Sequence, residues 1–287
     1  MLNRLLLPID GSGASMQALP YAEVIPSQIV RMIMVIPGDL SPKDRIQAAA
    51  DAEAQLREAS GVFEQQGRAV ELLVLDGEPA EEILVQSEDA DLTIMTTRGY
   101  GPGRRFVYGS VADDVARRSA TPVLLVRGGE RPIPVVPVSR IVVPLDGSEA
   151  AERSLRLATD LATTIGVPVM LIRVVDIEGI QEAAHLAATL TSGHAATVDA
   201  LRHAASTYLA EKAQVFRDAS LPAAIDVRIG EPVPEIKALV EEGDVLVMSS
   251  HGRTGVKRLL IGSVTAELVQ SAMVPVLIVH APDAPAS

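Results

Sequence analysis

The chain contains no cysteine and no tryptophan. Without thiols it has no disulfide framework, no cysteine nucleophile, no cysteine-ligated zinc site and no cysteine-held iron–sulfur cluster. Aromatic residues make up only 2% of the chain, so the core has to be assembled from Ala, Val, Leu and Ile. That composition suits parallel sheets covered by helices better than an aromatic-rich sandwich. Positive charge is also scarce: 25 Lys and Arg stand against 37 Asp and Glu, a net charge of −12. Binding to nucleic acid needs a positive surface to neutralise phosphates, so nucleic acid is not expected as the main partner. No apolar run approaches the roughly 18 residues that span a bilayer, and no membrane partner is expected. The apolar start of the chain is too short for a secretory leader and ends at Asp10. These features read as a cytoplasmic protein.

The 287 residues are enough for about two domains at roughly 150 residues each. Hydrophobic residues at 48% against 22% charged exclude wholesale disorder. The chain also repeats itself. Leu5-Leu6-Leu7-Pro8-Ile9-Asp10-Gly11-Ser12 recurs as Ile141-Val142-Val143-Pro144-Leu145-Asp146-Gly147-Ser148, at an offset of 136. Gly77-Glu78-Pro79, Gly109-Ser110-Val111 and Pro122-Val123-Leu124 recur as Gly230-Glu231-Pro232, Gly262-Ser263-Val264 and Pro275-Val276-Leu277, all at an offset of 153. The second copy therefore carries about 17 extra residues before Gly230. A period this long means two tandem domains, not a solenoid. We place them at 1–127 and 140–281. A Pro- and Gly-rich linker occupies 128–139 and a short tail 282–287.

Each half alternates short β-branched runs with stretches of helical spacing, which predicts strands and covering helices. The expected strands are Arg4–Ile9, Ile29–Ile36, Ala69–Leu75, Leu92–Thr96 and Pro122–Val126 in the first half. In the second they are Arg140–Leu145, Pro168–Val175, Ala223–Ile229, Val245–Met248 and Pro275–Val279. Such alternation gives a parallel, doubly wound sheet, because parallel neighbours need a crossover. Ligands of these sheets bind beyond the carboxyl ends of the strands, where the strand order switches. The ends to inspect are Asp10 and Asp146 after strand one, Val35 and Val174 on strand two, and the loops after strand four.

The loop from Met248 to Val264 leaves a strand, carries His251, Gly252, Arg253, Lys257 and Arg258, and re-enters a helix at Gly262-Ser263. A helix start has amides without intrahelical partners and a partial positive charge, so it suits phosphate. The first half offers the same arrangement, with Arg98 where His251 stands and nine residues between Gly99 and Gly109, as between Gly252 and Gly262. Read more simply, Gly-Ser is a helix cap and Asp-Gly a turn. In the functional reading Asp10 and Asp146 accept hydrogen bonds from a base amine or a ribose hydroxyl. Neither loop is a Walker A motif, and Gly99-x-Gly101-x-Gly103 lacks the dinucleotide spacing. His185, His194 and His203, nine apart, alternate between helix faces and form no chelate. No nucleophile–base set is suggested, so no catalytic residue is named.

With these residues in view, both halves resemble universal stress protein domains. The family motif is Gly-x-x-Gly, nine residues, then Gly-Ser or Gly-Thr. Its second Gly is here Gly99 or Gly252, and its final pair is Gly109-Ser110 or Gly262-Ser263, followed by Val111 or Val264. Pro8-Ile9-Asp10 and Pro144-Leu145-Asp146 match the strand end that holds adenosine. Val35 and Val174 match the position whose backbone meets adenine. The resemblance implies two Rossmann-like (adenine nucleotide alpha hydrolase-like) α/β domains, each with a five-stranded parallel sheet, paired through their last strands. It implies ATP as ligand, with Mg²⁺ only through ATP, and leaves AMP and ADP open. It further implies a stress-response or signalling module with a protein partner, rather than a metabolic enzyme; a homodimer stays open. The alternatives are a slow ATP hydrolase using the same site and a nucleotide-free interaction protein. One departure occurs in both halves: the first motif Gly is Thr96 or Ser249. We rank the second half, with Arg253 in its loop, as the stronger site.

Overall fold

The computed structural model describes residues 2–97, 109–128, 137–176, 194–250 and 261–280. The first half runs β1 (Leu2–Pro8), a short 3-10 turn, α1 (Leu19–Val24), β2 (Ser27–Ile36), α2 (Pro42–Gln65), β3 (Ala69–Asp76), α3 (Pro79–Ser87), β4 (Leu92–Thr97), α4 (Ser110–Arg118) and β5 (Val123–Arg127). The second half runs β6 (Arg140–Pro144), α5 (Glu149–Glu152), α6 (Ser154–Ile165), β7 (Val169–Val175), α7 (His194–Lys212), α8 (Gln214–Asp218), β8 (Ala223–Ile229), α9 (Pro232–Leu239), β9 (Asp244–Ser249), α10 (Ser263–Ser271) and β10 (Val276–Val279). Every expected strand is present, with ends moved by at most two residues. The helical stretch after β6 divides into α5 and α6, and α6 closes on Gly166 in the left-handed conformation, as its lack of a Cβ permits.

The strands form one ten-stranded sheet in the order β3-β2-β1-β4-β5-β10-β9-β6-β7-β8. Within each half every pairing is parallel and the order is the doubly wound one, with the switch between strand one and strand four. The halves meet where β5 and β10 pair antiparallel, with Leu124 opposite Leu277 and Val123 opposite Ile278. These side chains are buried, so the seam is as dry as the strand interiors. The last strands therefore join the two halves of one chain, as the resemblance implies.

Two apolar layers flank the sheet. One gathers Leu5, Leu7, Phe63, Ile141, Val143, Leu161, Leu171 and Phe216 under α2, α6, α7 and α8. The other gathers Leu6, Val115, Val142, Ile172, Ile236 and Leu268 under α3, α4, α9 and α10. Neighbours in one strand point to opposite layers, so strands covered on both faces read as unbroken apolar runs. Most of the extra length of the second half falls between β7 and β8. It includes 177–193, which lie outside the described residues.

Candidate functional site

The switch strands β1 and β6 end on the same local device. The Ile9 amide donates to the Ile33 carbonyl at 2.9 Å, and the Leu145 amide to the Ile172 carbonyl at 2.8 Å. Each strand thus stays tied to its neighbour one residue past Pro8 or Pro144, and the next residue is the aspartate. Asp146 Oδ1 accepts from the Ser148 amide at 2.9 Å and from Ser148 Oγ at 2.6 Å. Asp10 makes the same pair of bonds with Ser12, at 3.0 and 2.5 Å. Gly11 and Gly147 take positive φ, 75° and 86°, which turns the chain back toward its helix. The turn reading of Asp-Gly is therefore correct at the level of local structure, and it fixes where each carboxylate stands at the end of the switch strand.

Ser148 also caps α5, its Oγ accepting from the Ala151 amide at 3.1 Å. Ser148→Ala removes a cap and a partner of Asp146 together. The expected cost is about 1 kcal/mol of stability, read as a shift of the urea midpoint at unchanged slope.

Across the crevice, β4 and β9 lead to α4 and α10. Their N-caps are Gly109 and Gly262, neither with a capping side chain. The α10 start is pinned to the strand it follows. The Gly262 amide donates to the Ser250 carbonyl at 2.7 Å, and Thr265 Oγ1 donates to the Ser249 carbonyl at 3.1 Å. Ser263 and Val264 occupy the first two helical positions, and their amides, with that of Thr265, precede the first intrahelical donor, the Ala266 amide, which bonds the Gly262 carbonyl at 2.8 Å. Ser110 and Val111 do the same in α4. Thr96 is the penultimate residue of β4 and Ser249 the last of β9, so the two departures from the motif lie at the strand ends. Val35 and Val174 are the penultimate residues of β2 and β7. Pro8, Ile9, Asp10, Val35, Thr96, Gly109, Ser110 and Val111 thus gather at one end of the first half-sheet. Pro144, Leu145, Asp146, Val174, Ser249, Gly262, Ser263 and Val264 do so in the second. Gly99, Gly252, Arg253, His251, Arg98, Lys257 and Arg258 lie outside the described residues.

The halves differ in charge at the helix start. The first turn of α4 carries Asp113, whereas that of α10 carries no acid. A carboxylate there competes with a phosphate for the positive helix end, even though Arg117 pairs with it at 2.9 Å. The turns after the switch strands differ too. In the first half Gln55 of α2 stands against Gly11, so close that a Cβ on that glycine would meet its amide oxygen. In the second, the guanidinium of Arg173 from β7 stands against Gly147. Sequence reasoning missed Arg173, although a charge inside the apolar run of β7, one residue before Val174, was the available signal.

Fold and strand ends together define a tandem, doubly wound α/β protein with a crevice at the strand-order switch of each half. The model of the universal stress protein family matches residues 1–127 and 137–280, and the chain belongs to that family. The chain is 24% identical to universal stress protein Rv2005c of Mycobacterium tuberculosis over 240 residues, covering 81% of this chain and 75% of that protein. It is 29% identical to universal stress protein MJ0577 of Methanocaldococcus jannaschii over 151 residues, which is 49% of this chain and 93% of that shorter protein. Among solved structures, a universal stress protein from Archaeoglobus fulgidus superposes with a TM-score of 0.70 at 24% identity, covering 97% of this chain and 98% of that one. Among the described residues, no helix is long and apolar enough to cross a membrane.

Proposed function

We propose that this universal stress protein binds adenine nucleotide, ATP foremost, in the crevice of its second half, and presents a nucleotide-dependent surface to a protein partner in the cytoplasm. The carrying observation is the start of α10. A helix N-terminus with a glycine cap, no acid in its first turn and its cap amide tied to β9 stands across the switch from the Asp146 turn. Such an end offers several amides and a partial positive charge to a phosphate. The nucleoside then lies toward Asp146 and the Val174 backbone, with Pro144 and Leu145 beneath it, and Gly252, Arg253, Ser263 and Val264 serve the phosphates. Mg²⁺ comes with the triphosphate and needs no protein cage.

The first half repeats the frame through Pro8, Ile9, Asp10, Val35, Thr96, Gly99, Gly109, Ser110 and Val111. Asp113 in the first turn of α4 makes it the weaker site. The units 1–127 and 140–281, joined by 128–139 and followed by the tail 282–287, act as one intramolecular pair through β5 and β10. No residue is assigned to catalysis.

The test is to denature the purified protein, identify released nucleotide by chromatography, and titrate nucleotide-free protein with ATP–Mg²⁺ by calorimetry. Saturable binding of about one ATP per chain at the stronger site is expected. Absence of both released nucleotide and binding heat removes the reading.

A further inference from the structure

Arg173 is half-buried and makes no hydrogen bond or ion pair among the described residues, in a protein with twelve more acidic than basic side chains. Other half-buried arginines are partnered. Arg31 reaches Glu71, Arg140 reaches Asp244, and Arg228 reaches Asp226 and Glu235. What holds Arg173 is a ring: its guanidinium lies 4.9 Å from the centroid of Tyr208 on α7. Stacking on an aromatic face steadies a guanidinium without consuming its N–H donors.

Tyr208 is itself fixed. Its hydroxyl donates to Glu152 Oε1 at 3.0 Å, and Lys212 Nζ sits 2.9 Å from Glu152 Oε2. Burial first, and then the bond to Glu152, push the phenol far above its ordinary range, so the ring stays neutral. The acid and the second cation thus satisfy each other and the phenol, leaving the Arg173 fork available.

Its position separates it from the phosphate end of the crevice. Arg173 and Leu171 share one face of β7, the face covered by α6 and α7, while α10 packs on the other face. β9 and β7 are also two strand spacings apart across β6, about 10 Å. A ligand whose 5′-phosphates rest on α10 therefore presents its ribose or base, not its polyphosphate, to Arg173, which stands beside the Asp146-Gly147 turn.

We propose, resting on the nucleotide reading above, that Arg173 is a specificity-determining residue and that the second half takes adenosine nucleotides carrying an additional phosphate on the ribose. A half-buried guanidinium without a carboxylate partner among the described residues gains most from a dianion that accepts two of its N–H groups at once. At the equivalent place in the first half stands Met34 of β2, and the neutral Gln55 lies over the turn.

The experiment is calorimetric titration of the full chain with ATP, AMP, adenosine 2′,5′-bisphosphate and adenosine 3′,5′-bisphosphate. Wild type should bind at least one of the bisphosphates about tenfold or more tighter than AMP. Arg173→Gln should erase that preference, bringing the bisphosphates to within about threefold of AMP. Arg173→Lys, which keeps the charge and loses the fork, should restore it only in part. If ATP binds but neither bisphosphate exceeds AMP, the Arg173 assignment falls and the nucleotide reading stands. If neither ATP nor any of the other three binds, both fall. Should Arg173→Gln fail to fold, the wild-type comparison of the bisphosphates with AMP decides alone, and Tyr208→Leu, which removes the ring under the guanidinium, is the second variant expected to weaken the preference.

Discussion

Gly262→Asp lowers ATP affinity by about 100-fold or more and leaves the melting temperature within a few degrees of wild type. Gly262 is the N-cap of α10 with φ −55° and ψ 147°, a backbone that every residue adopts, so the new side chain brings no strain there. Aspartate is among the preferred N-cap residues, since its carboxylate accepts from the amides two or three residues on. Those are the Val264 and Thr265 amides that the proposed phosphate needs. The substitution therefore fills the helix end with an internal anion and repels the external one. A hydrogen bond to a charged group contributes about 1.5–3 kcal/mol, and 1.4 kcal/mol is tenfold in affinity, so losing two such bonds gives the stated factor. The equivalent Gly109→Asp should reduce total binding far less, because α4 already carries Asp113 in its first turn. Calorimetry and thermal melts on the two variants check both halves of the expectation. Full ATP binding in Gly262→Asp would show that the nucleotide does not use this helix end.

Much of this arrangement was legible in the chain because it rests on backbone features. Strand ends announce themselves through apolar runs stopped by Pro-x-Asp-Gly-Ser. Helix starts announce themselves through Gly-Ser before a periodic stretch, and duplication at a fixed offset sets aside coincidence. The joining of the halves through β5 and β10 was expected only from the family resemblance, because nothing in the apolar runs Pro122–Val126 and Pro275–Val279 says which strand lies beside them. What the sequence left hidden depends on side chains meeting across elements. Tyr208 and Arg173 are 35 positions apart in sequence, and their approach is set by how α7 lies over β7. Gln55 against Gly11 has the same character. The division between α5 and α6 was invisible for another reason. Both carry good helix formers, and the break around Arg153 leaves the apolar spacing intact.

The repeat also concealed a difference at the opposite end of the sheet, and it bears the largest expected effect on stability. Arg140 opens β6 and lies in register with Asp244, which opens β9. The side chains form a two-pronged pair, Nε to Oδ1 at 2.9 Å and Nη2 to Oδ2 at 2.6 Å, and Asp244 Oδ2 also accepts the Glu241 amide at 2.8 Å. In the first half the matching residues Arg4 and Asp91 part company. Asp91 accepts the Asn3 and Arg4 amides, and the Arg4 side chain turns to Glu71 and Asp89. Asp244 is only 2% exposed, and its bonds hold the Arg140 guanidinium above its ordinary pKa. Asp244→Ala leaves that guanidinium and the Glu241 amide without their acceptor, at a cost of about 3 kcal/mol, the lower end for a broken buried pair because Arg140 keeps some contact with water. For a chain of this size that lowers the melting temperature by about 5–10 °C. Arg140→Met combined with Asp244→Leu should be milder than Asp244→Ala, since two apolar groups leave no charge stranded, and the double-mutant cycle should show coupling above about 1 kcal/mol. ATP affinity should not change, because six residues of β9 put about 15 Å or more between Asp244 and the α10 start. Purely additive losses would mean that the apolar sides of β6 and β9, and not this pair, set their register. Coupled losses with intact binding would place the alignment of the two switch strands on Arg140 and Asp244, at the end of the sheet away from the crevice.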